Sequence, residues 1–277
     1  MVKMKLKDKV AVITGANSGI GRGIALDMAL VEGAKVIVVD IRPVPKVGKF
    51  FETESRNPTA EEIISQGGTA EFFQADISKE EEIKNLVNFV LDRFGKTDII
   101  VNNAGYGIPG NTQKLSLKDW ETVIGVNLKG PFLMTKYFAP LLKKACFGRI
   151  LNIASILAFG GGGGPAYPPA KAGLVNLTKD SALEFARDSI TVNCICPGAI
   201  ETPMQDYLTE EIIEYVSTNT PIARLGLPKD IAKICSFLAS SDASWITGIA
   251  IPVDGGREAQ LFMPESPRYQ RIINKKK

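Results

Sequence analysis

Short apolar runs rich in β-branched residues alternate with longer amphipathic stretches from one end of the chain to the other. The short runs read as strands: Val10–Thr14, Lys35–Asp40, Ala70–Gln74, Asp98–Asn102, Gly148–Ser155, Thr191–Cys196 and Ile249–Val253. The longer ones read as crossover helices, because alternating βα units pack around a parallel sheet. Helix starts are marked by Thr59 with Glu62, Ser78 with Glu81, and Ser116 with Asp119, each placing a hydroxyl three residues before a carboxylate. Gly67-Gly68 and Gly95 supply stops. The pattern predicts an α/β fold: a doubly wound sheet of about seven parallel strands with helices on both faces. It fits a single domain spanning 1–277, with 257–277 as a C-terminal tail or arm.

Three segments depart from a minimal βα economy. Ile41–Pro58 is a connection rich in Pro, Gly, Lys and Phe, longer than the few residues usual in βα loops. Gly160–Gly164 is an unbroken glycine run just after the fifth strand, expected to form a lip with few side chains for recognition. Arg257–Lys277 follows the last strand without clear periodicity.

Composition narrows the chemistry. With 277 residues, 45% hydrophobic and 23% charged, the chain can bury a substantial core. It contains no histidine, which removes Ser-His-Asp and Cys-His nucleophiles and histidine-ligated zinc; no metal is expected. An acid or base working near neutrality must then be a perturbed Tyr, Lys, Cys, Asp or Glu. The net charge of +3 is scattered, and the lysines at Lys3, Lys5, Lys7, Lys9 and Lys275–Lys277 read as solvated tails, so no nucleic acid is expected as partner. No apolar run reaches the roughly 18 residues a bilayer requires, and no signal-peptide core opens the chain, so a cytoplasmic protein without a membrane partner is expected. The four cysteines form no CxxC pair; Cys194 and Cys196 should face one side of a strand, and all four should be buried free thiols.

Strand Val10–Thr14 runs into Gly15-Ala16-Asn17-Ser18-Gly19-Ile20-Gly21, and an apolar helical pattern follows. Glycines there let backbone N–H groups approach a pyrophosphate at a helix N-terminus, where the dipole favours anions, as in Rossmann-type folds. The spacing is G-x-x-x-G-x-G rather than G-x-G-x-x-G. Asp40 closes the next strand, where an acidic side chain accepts hydrogen bonds from adenosine ribose hydroxyls and repels a 2′-phosphate. NAD is therefore expected over NADP. Arg42 pulls the other way, since a guanidinium grips phosphate, whereas Ser18 lacks a charge that would assist it.

Ser155 is expected at the end of the fifth strand, and Tyr167 follows 12 residues later with Lys171 one helical turn beyond. Pro168 and Pro169 suit the first turn of a helix, which places Tyr167 at its N-terminus. A tyrosine ionises near pH 10 in water; a neighbouring ammonium and the positive helix end both favour its phenolate.

Thr14–Gly21, Asp40, Asp76, Asn102-Asn103-Ala104-Gly105, Asn127, Ser155, Tyr167, Lys171, Pro197-Gly198 through Thr202, and Asp254-Gly255-Gly256 occur in one order and spacing. In this the chain, from about residue 6 to 256, closely resembles the compact single-domain branch of the short-chain dehydrogenase/reductase family. The resemblance implies Tyr167 as acid/base, Ser155 on the substrate oxygen, Lys171 on the nicotinamide ribose and lowering the tyrosine pKa, and Asn127 shaping a water path to the lysine. It implies a cofactor seat built from Gly15, Asn17, Ser18, Gly19, Ile20, Gly21 and Asp40. Asp76 would meet the adenine, Asn103, Ala104 and Gly105 would line the adenosine half, and Thr202 would orient the nicotinamide carboxamide, with Ile77, Tyr167, Lys171, Pro197, Gly198 and Ile200 also binding the cofactor. Pro168 and Pro169 depart from the small residues usual in the family. The pocket walls, Ile156–Ala166 and Ala199–Leu208 with Leu157, Phe159, Ile200, Met204 and Tyr207, imply a partly apolar site.

The expected activity is NAD-dependent interconversion of a secondary alcohol, or a sugar hydroxyl or hemiacetal, with its carbonyl. A 3-oxoacyl-[acyl-carrier-protein] reductase is the alternative. An NAD sensor without turnover would require damage to Ser155, Tyr167 or Lys171, and all are present. The resemblance also implies a homotetramer.

Overall fold

The computed structural model describes residues 4–48, 57–206 and 208–260. Seven strands form one sheet: β1 (Val10–Thr14), β2 (Lys35–Asp40), β3 (Thr69–Gln74), β4 (Ile99–Asn102), β5 (Gly148–Ile153), β6 (Ile190–Pro197) and β7 (Ala250–Val253). Their order is β3-β2-β1-β4-β5-β6-β7, and every pairing is parallel. The helices between them are α1 (Gly19–Leu26), α2 (Thr59–Ser65), α3 (Glu80–Phe94), α4 (Leu117–Ile124), α5 (Gly130–Lys144), α6 (Tyr167–Phe185), α7 (Glu210–Thr218) and α8 (Pro228–Ala239).

Alternation along each strand divides the core into two layers. Ala11 and Ile13 of β1, with Val36 and Val38 of β2, pack against Ile24 of α1, Ile63 of α2 and Leu238 of α8. Val10, Val12, Ile37 and Val39 point the other way, onto Leu86 of α3 and Met134 and Phe138 of α5. Such two-sided burial is what a parallel sheet demands, and each large apolar side chain withdrawn from water contributes about 1.5–3 kcal/mol. Behind α6, Leu174 and Val175 meet Cys194 and Cys196, whose sulfurs lie 4.0 Å apart on the same side of β6.

Several sequence expectations need correction, because another contact claims the group that the local pattern assigns. Thr59 begins α2 behind Pro58 rather than capping it; its hydroxyl accepts from Arg22 (2.9 Å). Ser78 caps nothing, since α3 starts at Glu80 and the Ser78 hydroxyl donates to Asp76 at 2.7 Å. Ser116 does cap α4, accepting from the Asp119 N–H. Gly95 ends α3 at φ +68°, a left-handed conformation that glycine adopts without strain. Strand β5 stops at Ile153, two residues early, because Ser155 turns its hydroxyl onto the Leu157 N–H and starts a 3₁₀ turn. Of the N-terminal lysines read as a solvated tail, Lys5 and Lys7 are exposed, but Lys9 is not: it pairs with Asp98 (3.3 Å) and lies over the Phe147 ring next to fully buried Leu6, while Lys3 lies outside the described residues. Cys146, expected to be buried, is exposed in the turn before β5.

Candidate active site

Between β1 and β4 the winding reverses, so successive connections leave on opposite faces and a crevice opens at the carboxyl ends of the strands. The glycine turn after β1 lines it. Gly15 (φ +63°) and Gly19 (φ +53°) occupy conformations that a side chain would strain. A Cβ on Gly21 would collide with the Gly15 carbonyl oxygen and the Asn103 amide, so only glycine allows α1 to start this close to the turn. The β4 segment is laced to the same turn. Thr14 Oγ1 accepts from the N–H groups of Asn103 and Ala104, both at 3.0 Å, and Asn103 Nδ2 donates to Thr14 O (2.9 Å) and Gly15 O (3.1 Å).

Ser18 is the N-cap of α1 with extended backbone, yet its side chain caps none of the helix's own N–H groups. These amides and the positive helix end make a seat suited to an anionic diphosphate, and the glycine cradle leaves room for backbone approach. Ile20 packs partly buried against the core. At the end of β2, the Asp40 carboxylate accepts from the Asn17 and Arg42 N–H groups, both at 3.1 Å, and is thereby aimed at the same crevice. The Asn17 side chain is committed to structure: Nδ2 donates to Arg42 O (2.7 Å) and Oδ1 accepts from the Thr59 N–H (3.1 Å). Asp76 accepts from the Ser78 N–H and hydroxyl, and Ile77 is buried against Gly130.

The reactive side chains come from three further elements. Helices α4 and α5 are joined without a break by a π-helical turn, Gly125–Lys129, which carries Asn127 into the crevice. Its Nδ2 donates to Tyr106 O (2.6 Å) and Val123 O (2.9 Å), while Oδ1 is buried with no hydrogen-bond partner among the described residues. A Cβ built on Gly105 would lie 3.2 Å from that oxygen and 3.7 Å from Lys171 Nζ, so Gly105 keeps the space between them open. Tyr167 is the first residue of α6, with prolines in its first turn as the sequence predicts. Lys171 Nζ lies 5.5 Å from the Tyr167 ring centroid and donates to Ile153 O at 2.8 Å. Ser155 is 9% exposed on the turn after β5.

Burial pushes the Lys171 ammonium down to about 8, against an opposing pull from Cys194 and Cys196. A hydrogen bond with Cys194, together with burial, pushes the Cys196 thiol up. Lys171 can thus hold a charge beside the phenol at neutral pH and lose it readily.

After β6, Gly198 packs flat against Asp254, where a Cβ would lie 2.8 Å from Asp254 Cβ, and Ile200 bridges to Gly226. Thr202 then folds back, its methyl 3.0 Å from a Cβ built on Gly19. Ends of β1, β2, β4, β5 and β6 therefore converge with the start of α6 on one crevice. A Cβ built on Gly107 would meet the Tyr167 ring at 3.8 Å and the Met204 methyl at 3.9 Å, which marks the outer wall. Tyr207, expected in that wall, lies outside the described residues, as do 49–56 of the long connection and 261–277 of the tail. No motif or spacing along the chain singles out Lys46 or Arg22. The Lys46 N–H donates to Ser18 Oγ (2.7 Å), and Arg22 ties α1 to Asn57 O (2.8 Å).

A family model described as enoyl-(acyl carrier protein) reductase matches residues 15–258. The chain belongs to the short-chain dehydrogenase/reductase family. Within that family it is 40% identical to the (2S)-[(R)-hydroxy(phenyl)methyl]succinyl-CoA dehydrogenase subunit BbsD of Thauera aromatica, over 92% of this chain and 98% of the relative. It is 36% identical to the 3-oxoacyl-[acyl-carrier-protein] reductase FabG of Thermotoga maritima (91% and 99% covered) and 38% identical to a 3-oxoacyl-[acyl-carrier-protein] reductase of Synechocystis (91% and 97%). As a short-chain dehydrogenase/reductase the protein is an oxidoreductase that binds a nicotinamide cofactor. Among its described residues no helix is long and apolar enough to cross a membrane.

Proposed function

We propose that this short-chain dehydrogenase/reductase is NAD-dependent and interconverts a secondary alcohol, or a sugar hydroxyl or hemiacetal, with its carbonyl. The observation that carries the reading is the convergence of Tyr167, Ser155 and buried Lys171 on the crevice that Asp40 and the glycine turn border. Bound nicotinamide supplies the hydride acceptor in oxidation and the donor in reduction. The protein's part is to fix the substrate oxygen and move one proton. Ser155 Oγ donates to that oxygen, and Tyr167 Oη takes the alcohol proton or returns it to the carbonyl. Lys171 and the N-terminus of α6 stabilise the phenolate, and Asn127 Oδ1, facing the lysine across Gly105, accepts from a water that relays the proton outward.

Asp40 supports NAD over NADP because an extra phosphate on the ribose would meet a carboxylate already fixed by two backbone N–H groups. Gly15 and Ser18 to Gly21 would seat the diphosphate, Asp76 and Ile77 the adenine, Asn103 to Gly105 the adenosine half, and Pro197 to Thr202 the nicotinamide. A homotetramer in the cytoplasm completes the reading; light scattering showing a monomer would contradict the assembly.

The second reading is a 3-oxoacyl thioester reductase. It is favoured by the relatives' names, which put an oxo or hydroxyl group on a carrier-protein or CoA thioester. One assay separates the two. Acetoacetyl thioesters, sugars and cyclic secondary alcohols are each tested with both dinucleotides, following NAD(P)H absorbance. Turnover of free alcohols with NAD supports the first reading, and turnover confined to thioesters supports the second.

A further inference from the structure

The described ends of the long connection after β2, 41–48 and 57–58, are bonded to the site. Its start and end are tied to the glycine turn through Asn17, which holds Arg42 O and the Thr59 N–H, and through Arg22, which holds Asn57 O. Between these ties sits Lys46, with contacts at both of its ends. The backbone N–H donates to Ser18 Oγ at 2.7 Å, while the ammonium donates to Pro203 O at 2.7 Å and pairs with Asp206 at 3.1 Å.

Ser18 and Pro203 lie close together at the start of α1, Pro203 Cδ being 4.0 Å from a Cβ built on Gly19. Ser18 is the N-cap of α1, and Pro203 follows Thr202, whose methyl reaches Gly19. A single residue therefore ties together the connection after β2, the N-cap of α1 and the loop after β6. Ser18 has the backbone conformation of a capping residue but gives its hydroxyl to Lys46 instead of to its own helix. That choice leaves the first-turn amides without a side-chain cap, and the long Lys46 cation spends its side-chain freedom on a carbonyl and a carboxylate rather than on solvent.

We propose that Lys46 is a clasp at the edge of the dinucleotide site: it fastens the start of the β2–α2 connection and the N-cap of α1 to the loop after β6, so that release of the dinucleotide requires its contacts to open. Because the loop after β6 also lines the substrate pocket, the clasp couples cofactor retention to the closed form of that loop. The inference rests on the dinucleotide reading above.

The test is NADH release from the full-length protein by stopped-flow fluorescence, for wild type, Lys46→Gln and Asp206→Asn. Losing a charge-assisted contact should raise the release rate of each variant about tenfold. The melting temperature of the protein without cofactor should stay within about 1 °C for these partly exposed positions. A Lys46→Gln release rate within twofold of wild type would overturn the clasp while leaving the dinucleotide site intact. Wild type that binds neither NADH nor NADPH would overturn the reading beneath it.

Discussion

Methionine at position 171 would keep the length of the lysine stem and discard its ammonium, and the folded protein should become more stable for it. Lys171 is 3% exposed, and burial lowers its pKa from 10.5 to about 8. At about 1.36 kcal/mol per pKa unit, the fold bears about 3 kcal/mol for carrying the charged form. Loss of the hydrogen bond to Ile153 O offsets about 1 kcal/mol of that, leaving a gain of about 2 kcal/mol near neutral pH. For a chain of this size the gain is about 4 °C in melting temperature. The pH dependence is the signature. The folded pKa lies below the unfolded one, so between about 8 and 10.5 the unfolded chain binds more protons and wild-type stability rises with pH. The advantage of Lys171→Met should therefore shrink through that window and reverse above it, leaving the variant about 1 kcal/mol less stable for the lost hydrogen bond, while turnover is lost at every pH. Thermal unfolding of both proteins without cofactor, at one concentration and in steps of pH, measures it. A variant less stable than wild type at neutral pH, or a difference that does not change with pH, would refute the reasoning.

Two substitutions probe the cofactor end. Gly21→Ala drives a methyl into the Gly15 carbonyl and the Asn103 amide, so calorimetry should show dinucleotide affinity at least about tenfold weaker and a loss of about 1–3 kcal/mol in stability; unchanged affinity would mean the turn does not seat the cofactor. Asp40→Asn keeps the shape and removes the charge, so the NADPH-to-NADH ratio of kcat/KM should rise about tenfold, and a ratio that stays put would remove Asp40 as the discriminating group.

The centre of the sheet was legible because β1, β2 and β4 bury both faces and so write nearly uninterrupted apolar runs, and β1 and β2 match their predicted bounds residue for residue. The ends of elements were harder. Thr59 and Ser78 carry capping sequences, but Arg22, 37 residues away, claims the Thr59 hydroxyl, and Asp76, two residues back, claims that of Ser78. The same holds at the site. Tyr167, Lys171 and the glycine turn announce themselves through spacing along the chain, and the fold brings them to one crevice. Lys46 could not be found that way, since its partners Ser18 and Pro203 lie 28 and 157 residues distant and only the closed crevice unites them. Asn127 was visible by family resemblance alone; the π-helical turn that aims it has no sequence signature here.

The central claim is that Tyr167 moves the proton. Tyr167→Phe removes one oxygen from a half-buried ring at the start of α6 and leaves the dinucleotide seat untouched. With a substrate that wild type turns over, the account predicts kcat lower by at least about a thousandfold and a dinucleotide dissociation constant within about twofold of wild type. A variant that binds the dinucleotide and retains wild-type kcat would contradict it.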